Sequence, residues 1–80
     1  MNVADLYAEI APGAPVTGLV ATGEGTVELR RGDEVNARRV EGYTHVTEAV
    51  AGDGWSLECT GDVQLGVQVR GIGIVWATPP

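Results

Sequence analysis

The chain predicts a mainly β domain, a small antiparallel barrel or sandwich of about six strands with one short N-terminal helix. Three observations point there. Apolar residues recur with helical period only near the start, at Val3, Leu6, Tyr7 and Ile10. Beyond Pro15 they recur with period two, most cleanly at Val63, Leu65, Val67 and Val69. Turn signals at GEG, RGD, EG, GDG, TGD and RG come about every eight to twelve residues, the rhythm of a small sandwich or barrel. Eighty residues make one folding unit, read as a helix or arm with a proline spacer over 1–15 and a compact β body over 16–80.

Taken in order, Asn2 is placed to cap the first helix, Asp5 sits at its positive end, and Pro12 stops it. A helix of about nine residues is not stable alone in water, so its stripe must lie on its own sheet or on a neighbour. The pattern leaves both open. PGAPV, residues 12–16, is an extended spacer, because a proline disfavours helix in the residue before it. Val16–Thr22 is a strand weakened by Gly18. Thr26–Arg30 alternates with Val27 and Leu29 on one face. Glu34–Val40 continues with Val35 and Ala37 inward, and Arg38-Arg39 interrupts the alternation as a bulge would.

Tyr43–Val50 reads two ways. Val46, Ala49 and Val50 would line a helical turn, whereas Thr44, Val46, Glu48 and Val50 alternate as in a strand. The strand reading is preferred, because AGDG followed by Trp55-Ser56-Leu57-Glu58-Cys59 resembles the return arm of a hairpin, with Trp55, Leu57 and Cys59 inward. At the C-terminus, a tight turn at Arg70-Gly71 sets Val69 across from Ile72 and Val67 across from Ile74. Ile72, Ile74 and Trp76 then face inward, Val75 and Ala77 form an apolar outer face, and Pro79-Pro80 ends the strand.

Composition bounds function. A net charge of −6 opposes adhesion to nucleic acid or anionic lipid, which depends on surplus cations near phosphate. No segment approaches the roughly 20 apolar residues that span a bilayer, and the start lacks a secretory pattern. With Cys59 as the only cysteine, no internal disulfide forms, which suits a reducing compartment or an assembled particle. All five cations are arginine and lysine is absent, the mark of a high-GC coding sequence. The expected setting is a virion or a bacterial cytoplasm, neither secreted nor membrane-bound.

Candidate chemistries thin out quickly. Arg31-Gly32-Asp33 is what a hairpin turn requires, and that reading outweighs cell adhesion. His45 and Cys59 are too few for a zinc site, and Cys59, read as inward, behaves as a small buried hydrophobe. GEG and RGIG lack the following helix of a phosphate cradle. Asp33-Glu34 point to opposite faces of a strand, which disfavours acid–base work. No enzyme activity and no cofactor are expected. Arg30, Arg31, Arg38 and Arg39 fall on adjacent strands of one hairpin. They are either laced into surface ion pairs by Glu28, Asp33, Glu34 and Glu41, or form a patch that meets an acidic partner surface. Trp55 and Trp76 are read as core.

The hydrophobic share of 44% is high for so small a body, and from Val63 to Pro80 only Arg70 carries charge. That surface asks for protein cover. The expected contact residues are Leu6, Tyr7 and Ile10 on the helix, the four hairpin arginines, and Val75 on the last strand. The partner is a larger protein assembly or a second copy of the chain, with no nucleic acid and no membrane.

From NVADLYAEIAPGAPV to GIGIVWATPP, the plan of a short apolar arm, a proline spacer and an acidic β body resembles the small decoration, or cement, proteins of tailed-phage capsids. The resemblance implies a virion accessory protein that forms a homo-oligomer, a trimer at capsid symmetry axes in that class, with residues 2–16 as the arm reaching the shell. Helix at Val3–Ile10 departs from the extended arm common there. The reading from another class is a small acidic inhibitor or regulator that presents carboxylates to a nucleic-acid-binding or defence enzyme.

Overall fold

The computed structural model describes residues 1–48 and 54–77. It contains one helix, α1 (Val3–Ile10), and five strands, β1 (Val16–Arg31), β2 (Glu34–Glu41), β3 (Thr44–Glu48), β4 (Ser56–Val69) and β5 (Gly73–Trp76). The fold is mainly β and antiparallel, as the alternation predicts. The strands form one sheet in the order β2-β1-β4-β5, with β3 also paired to β1.

Among the described residues the strands number five, because two pairs of expected strands are continuous. Val16–Thr22 and Thr26–Arg30 join through Gly23-Glu24-Gly25 as β1. The segment from Trp55 to Cys59, which becomes strand at Ser56, joins Val63–Val69 through Thr60-Gly61-Asp62 as β4. These glycines are not turns. Gly25 stands opposite Gly61 across the β1–β4 pairing, with Gly23 opposite Val63. A flat strand as long as β1 would extend about 50 Å at roughly 3.3 Å per residue. The molecule measures 28 × 28 × 23 Å, so the sheet bends sharply, and the glycine crossing is where backbones can approach closely enough to do so.

The bend brings two half-sheets around one core. Leu19, Ala21, Leu65, Val67 and Val69 come from one half, and Val27, Leu29, Val40 and Leu57 from the other. Among the described residues no pairing joins β5 to β2 or β3, so strand pairing leaves two edges. β2 and β3 lie end to end along one flank of β1, Glu41 opposite Glu24 and Thr44 opposite Ala21. Gly42 links them and donates its N–H to the Gly23 carbonyl at 2.8 Å.

α1 fills the remaining side of the core. Asn2 Oδ1 accepts the Ala4 N–H at 2.8 Å, the expected cap. The Met1 carbonyl accepts the Leu57 N–H at 2.6 Å, and Val3 donates to the Trp55 carbonyl at 3.0 Å, so the helix start is tied to β4. Val3 and Leu6 are buried, and Tyr7 and Ile10 pack half-buried against the same cluster. Burying Val3 and Leu6 contributes about 1.5–3 kcal/mol each. The helix therefore lays its stripe on its own sheet, and Leu6, expected as a contact residue, belongs to the core.

Expected facings are reversed on two strands, β2 and β5. Gly32-Asp33 turns β1 into β2 with Arg31 opposite Glu34, which pairs Val35 with Arg30 and Ala37 with Glu28. Val35 and Ala37 are thereby outward and exposed, and Val40 is the inward residue of β2. The register runs unbroken past Arg38-Arg39, with no bulge. The turn into β5 holds three residues, Arg70 to Ile72, so Val67 faces Val75 and Val69 faces Gly73. One added residue exchanges the faces. Val75 packs against the core, while Ile72 is 73% and Trp76 36% exposed.

Strand holds over Thr44–Glu48, and residues 49 and 50 lie outside the described residues. The expected hairpin from this strand to Trp55–Cys59 is not formed, since β3 and β4 flank β1 on opposite sides. Its residues Ala51 to Asp53, and the closing Pro79-Pro80, also lie outside the described residues. Among the described residues no helix is long and apolar enough to cross a membrane.

Candidate protein-binding surface

The outer face of the first half-sheet carries an apolar row. His45 on β3 is opposite Val20 on β1, Val20 is opposite Gly66 on β4, and Gly66 is opposite Trp76 on β5. Directly paired residues share a face, so these four lie in line. Gly66 has no side chain, and the indole of Trp76 occupies that space, with Ile74 beside it. Val20 is fully buried beneath the row although it lies on the face away from the core. Tyr43 completes the patch. Its ring meets His45 edge-on at a centroid distance of 5.4 Å and Trp76 at 6.3 Å, near-perpendicular in both cases, as aromatic quadrupoles prefer. Tyr43 remains 50% exposed.

Trp76 also borders a groove of about 490 Å3 between α1 and β5, lined by Met1, Leu6, Glu9, Ile10, Val75 and Ala77 as well. Three residues expected to meet a partner, Leu6, Ile10 and Val75, converge there. Leu6 forms its floor as a core residue, while Ile10 and Val75 are half-buried in its walls. Tyr7 is packed against the core, and its buried hydroxyl has no hydrogen-bond partner among the described residues. Burial raises its pKa above the ordinary phenol value.

The arginines do not form one patch. Arg30 and Arg39 lie on the outer face, paired with Val35 and Thr26, whereas Arg31 and Arg38 lie on the other, paired with Glu34 and Val27. Arg30 bonds to Glu28, Arg31 to Glu34 at 2.9 Å, and Arg39 to Glu41 at 3.2 Å. The guanidinium of Arg31 also sits 4.7 Å from the centre of the Trp55 ring, a cation–π contact. The arginine of the RGD turn is thus engaged by its own chain. Trp55 is half-buried against the core as expected, and Arg31 covers it.

Cys59 shares the inward phase of β4 with Leu57 but lies beyond the cover of the core and is exposed. Burial of part of its side chain still raises the thiol pKa, against a smaller lowering by the N-terminal ammonium. Its partner is Val27, seven positions along β1 from the Val20 that faces His45. An odd offset places thiol and imidazole on opposite faces of the sheet, which separates the sole Cys–His combination. Across the bend, Glu24 is opposite both Glu41 and Asp62, so three exposed carboxylates form a transverse row.

No sequence pattern marks Tyr43 and His45 as site residues, and alternation alone places Trp76 in the core. A signal was present nonetheless: Gly66 interrupts the side-chain alternation of β4, and a glycine in mid-strand marks a place where another group lies close. Comparison with protein-family models, with curated proteins and with solved structures finds no match to this chain.

Proposed function

We propose that this chain is a non-enzymatic interaction module that docks on a larger protein assembly or on itself. The observation that carries the reading is the exposed Tyr43–Trp76 ring pair, continuous with the groove between α1 and β5. Rings held by packing lose little freedom on binding, and aromatic anchors next to apolar pockets supply most of the affinity in protein interfaces. Among the described residues that line the groove, Glu9 is the only one with an ionisable side chain, so the groove suits apolar contact better than chemistry. Capsid decoration is the leading context, by resemblance of plan. In that context Trp76 and Ile10 would seat on the shell, in place of a freely extended arm.

The test is light scattering on the eluting protein across micromolar concentrations, together with co-sedimentation on purified tailed-phage capsids. Association that is insensitive to salt and lost in Trp76→Ala is expected. A wild-type monomer at every concentration, with no retention on capsids, would sink the reading.

The transverse row Glu41–Glu24–Asp62 favours a second reading, an acidic inhibitor that offers a phosphate-like array to a nucleic-acid-binding or defence enzyme. Binding of that kind weakens steeply as salt rises, whereas apolar docking does not.

A further inference from the structure

The β5 edge has its own geometry. Ala77 donates its N–H to the Leu65 carbonyl at 2.8 Å, and antiparallel pairing alternates residues that bond to the neighbour with residues that face away. Ala77, Val75 and Gly73 thus point their backbone groups at β4. Ile74 and Trp76 point theirs at the open edge. Among the described residues nothing bonds to these N–H groups and carbonyls, and Ile74 and Trp76 are apolar, with no lysine, proline or bulge within Gly73–Trp76 to blunt the edge.

We propose that β5 pairs antiparallel with β5 of a second copy of this chain, with Val75 on the two-fold axis. This rests on the reading of the chain as a self-associating module, and it names the partner and the register. A two-fold axis through an antiparallel pair requires one residue to face itself, because neighbouring residues point to opposite faces. With Val75 facing Val75, Ile74 bonds to Trp76 of the second copy and Trp76 to its Ile74, which satisfies every free group on both edges. With Ile74 facing Ile74, Trp76 would instead meet Ile72, a turn residue.

Charge selects the same edge. The chain carries −6, yet no acidic residue follows Asp62, so β5 itself brings no carboxylate to the pairing, and Glu9 lies beside it in the groove. The opposite edge is different: β2 presents Glu34, Arg38, Arg39 and Glu41. In the Val75-centred register each Trp76 lies beside the Ile74 of the other copy on the outer face. The two Val75 side chains lie together at the grooves. Stable interfaces bury roughly 1,200–2,000 Å2, and a four-residue edge falls short of that, so the dimer is reversible and concentration-dependent.

The experiment is amide hydrogen exchange and sedimentation on wild type, Ile74→Pro and Ile74→Lys, from micromolar to millimolar concentration. In wild type the mass rises from 8.3 kDa toward twice that. Exchange at the Ile74 and Trp76 amides slows by roughly tenfold or more as the dimer fills, while that at Ala77, already bonded, changes less. Ile74→Pro removes an outward donor and spares the pairing with β4. Should it fail to fold, Ile74→Lys charges the same edge, and either folded variant stays monomeric. A wild type that stays monomeric overturns the proposal, as does a dimer that survives both substitutions or leaves the Ile74 and Trp76 amides unprotected. A monomer that still sediments with capsids overturns this pairing alone and leaves the docking function standing.

Discussion

The indole of Trp76 lies over Gly66, its paired residue on β4, so closely that a Cβ added at Gly66 would come within 2.7 Å of Cε3. The missing side chain of one residue is the seat of the other. Gly66→Ala must lift the ring or push the strand, and is expected to destabilise the fold by about 1–3 kcal/mol. The emission of Trp76 should shift to the red as the ring becomes wetter. Urea unfolding checks the first effect and fluorescence of a Trp55→Phe background the second.

Gly23 sits at the bend with φ of 112°, and a Cβ there would lie 2.1 Å from the Asp62 carbonyl oxygen, which is backbone and cannot step aside. Gly23→Ala is expected to cost upward of about 3 kcal/mol, because strain and clash act together. Gly32, in the open turn with φ of 57°, meets nothing within 4 Å. Gly32→Ala should therefore lose only about 1–2 kcal/mol, from backbone strain alone. Thermal melts of the two variants decide whether the bend or the turn is the costlier place for a methyl group.

Tyr7→Phe is expected to stabilise the protein by about 1 kcal/mol, because a buried hydroxyl without a partner is replaced by a ring of nearly the same shape. The pH dependence gives a second reading. Burial disfavours phenolate and raises the Tyr7 pKa from 10.0, so above pH 10 the unfolded chain releases this proton first. The unfolded state then binds fewer protons, and stability falls as pH rises through that range. Below it the contribution is constant. Denaturant midpoints from pH 8 to 11 should decline for wild type and decline less for Tyr7→Phe.

Glu24→Gln removes the middle charge from a row in which like charges stand directly opposite. A gain of about 0.3–1 kcal/mol is expected at low salt. The gain should shrink at 1 M salt, where screening acts over about 3 Å. An equal gain at both salt concentrations would mean that repulsion is not its source.

What the sequence disclosed and what it withheld divide along one physical line. Period alone identified α1, Val63–Val69 and the strands of the β1–β2 hairpin, because apolar spacing is local information; at Thr44–Glu48 period reads two ways, and the hairpin to Trp55–Cys59 that favours strand there does not form. Facing depends on counts made elsewhere. One extra residue in the turn before β5 moved Trp76 from core to surface and Val75 from surface to core. Glycine was equally ambiguous: Gly23, Gly25 and Gly61 carry the same local signal as a turn, and only their meeting across β1 and β4 reveals a bend. The arginines fall on the expected hairpin, but strand alternation divides each adjacent pair, Arg30-Arg31 and Arg38-Arg39, between faces. Burial of Leu6 followed from tertiary contacts with β4 that no pattern within residues 3–10 encodes.

The longest pairing in the molecule joins β1 to β4, while β2 and β3 both lie between those strands in the chain. Among the described pairings of β1, only the hairpin to β2 can close cheaply, through Gly32-Asp33. The central seam must wait for distant segments to find each other, and that search is entropically slow. Refolding on the millisecond-to-second scale is expected, with the hairpin ordered early and α1 docking after the seam has zipped.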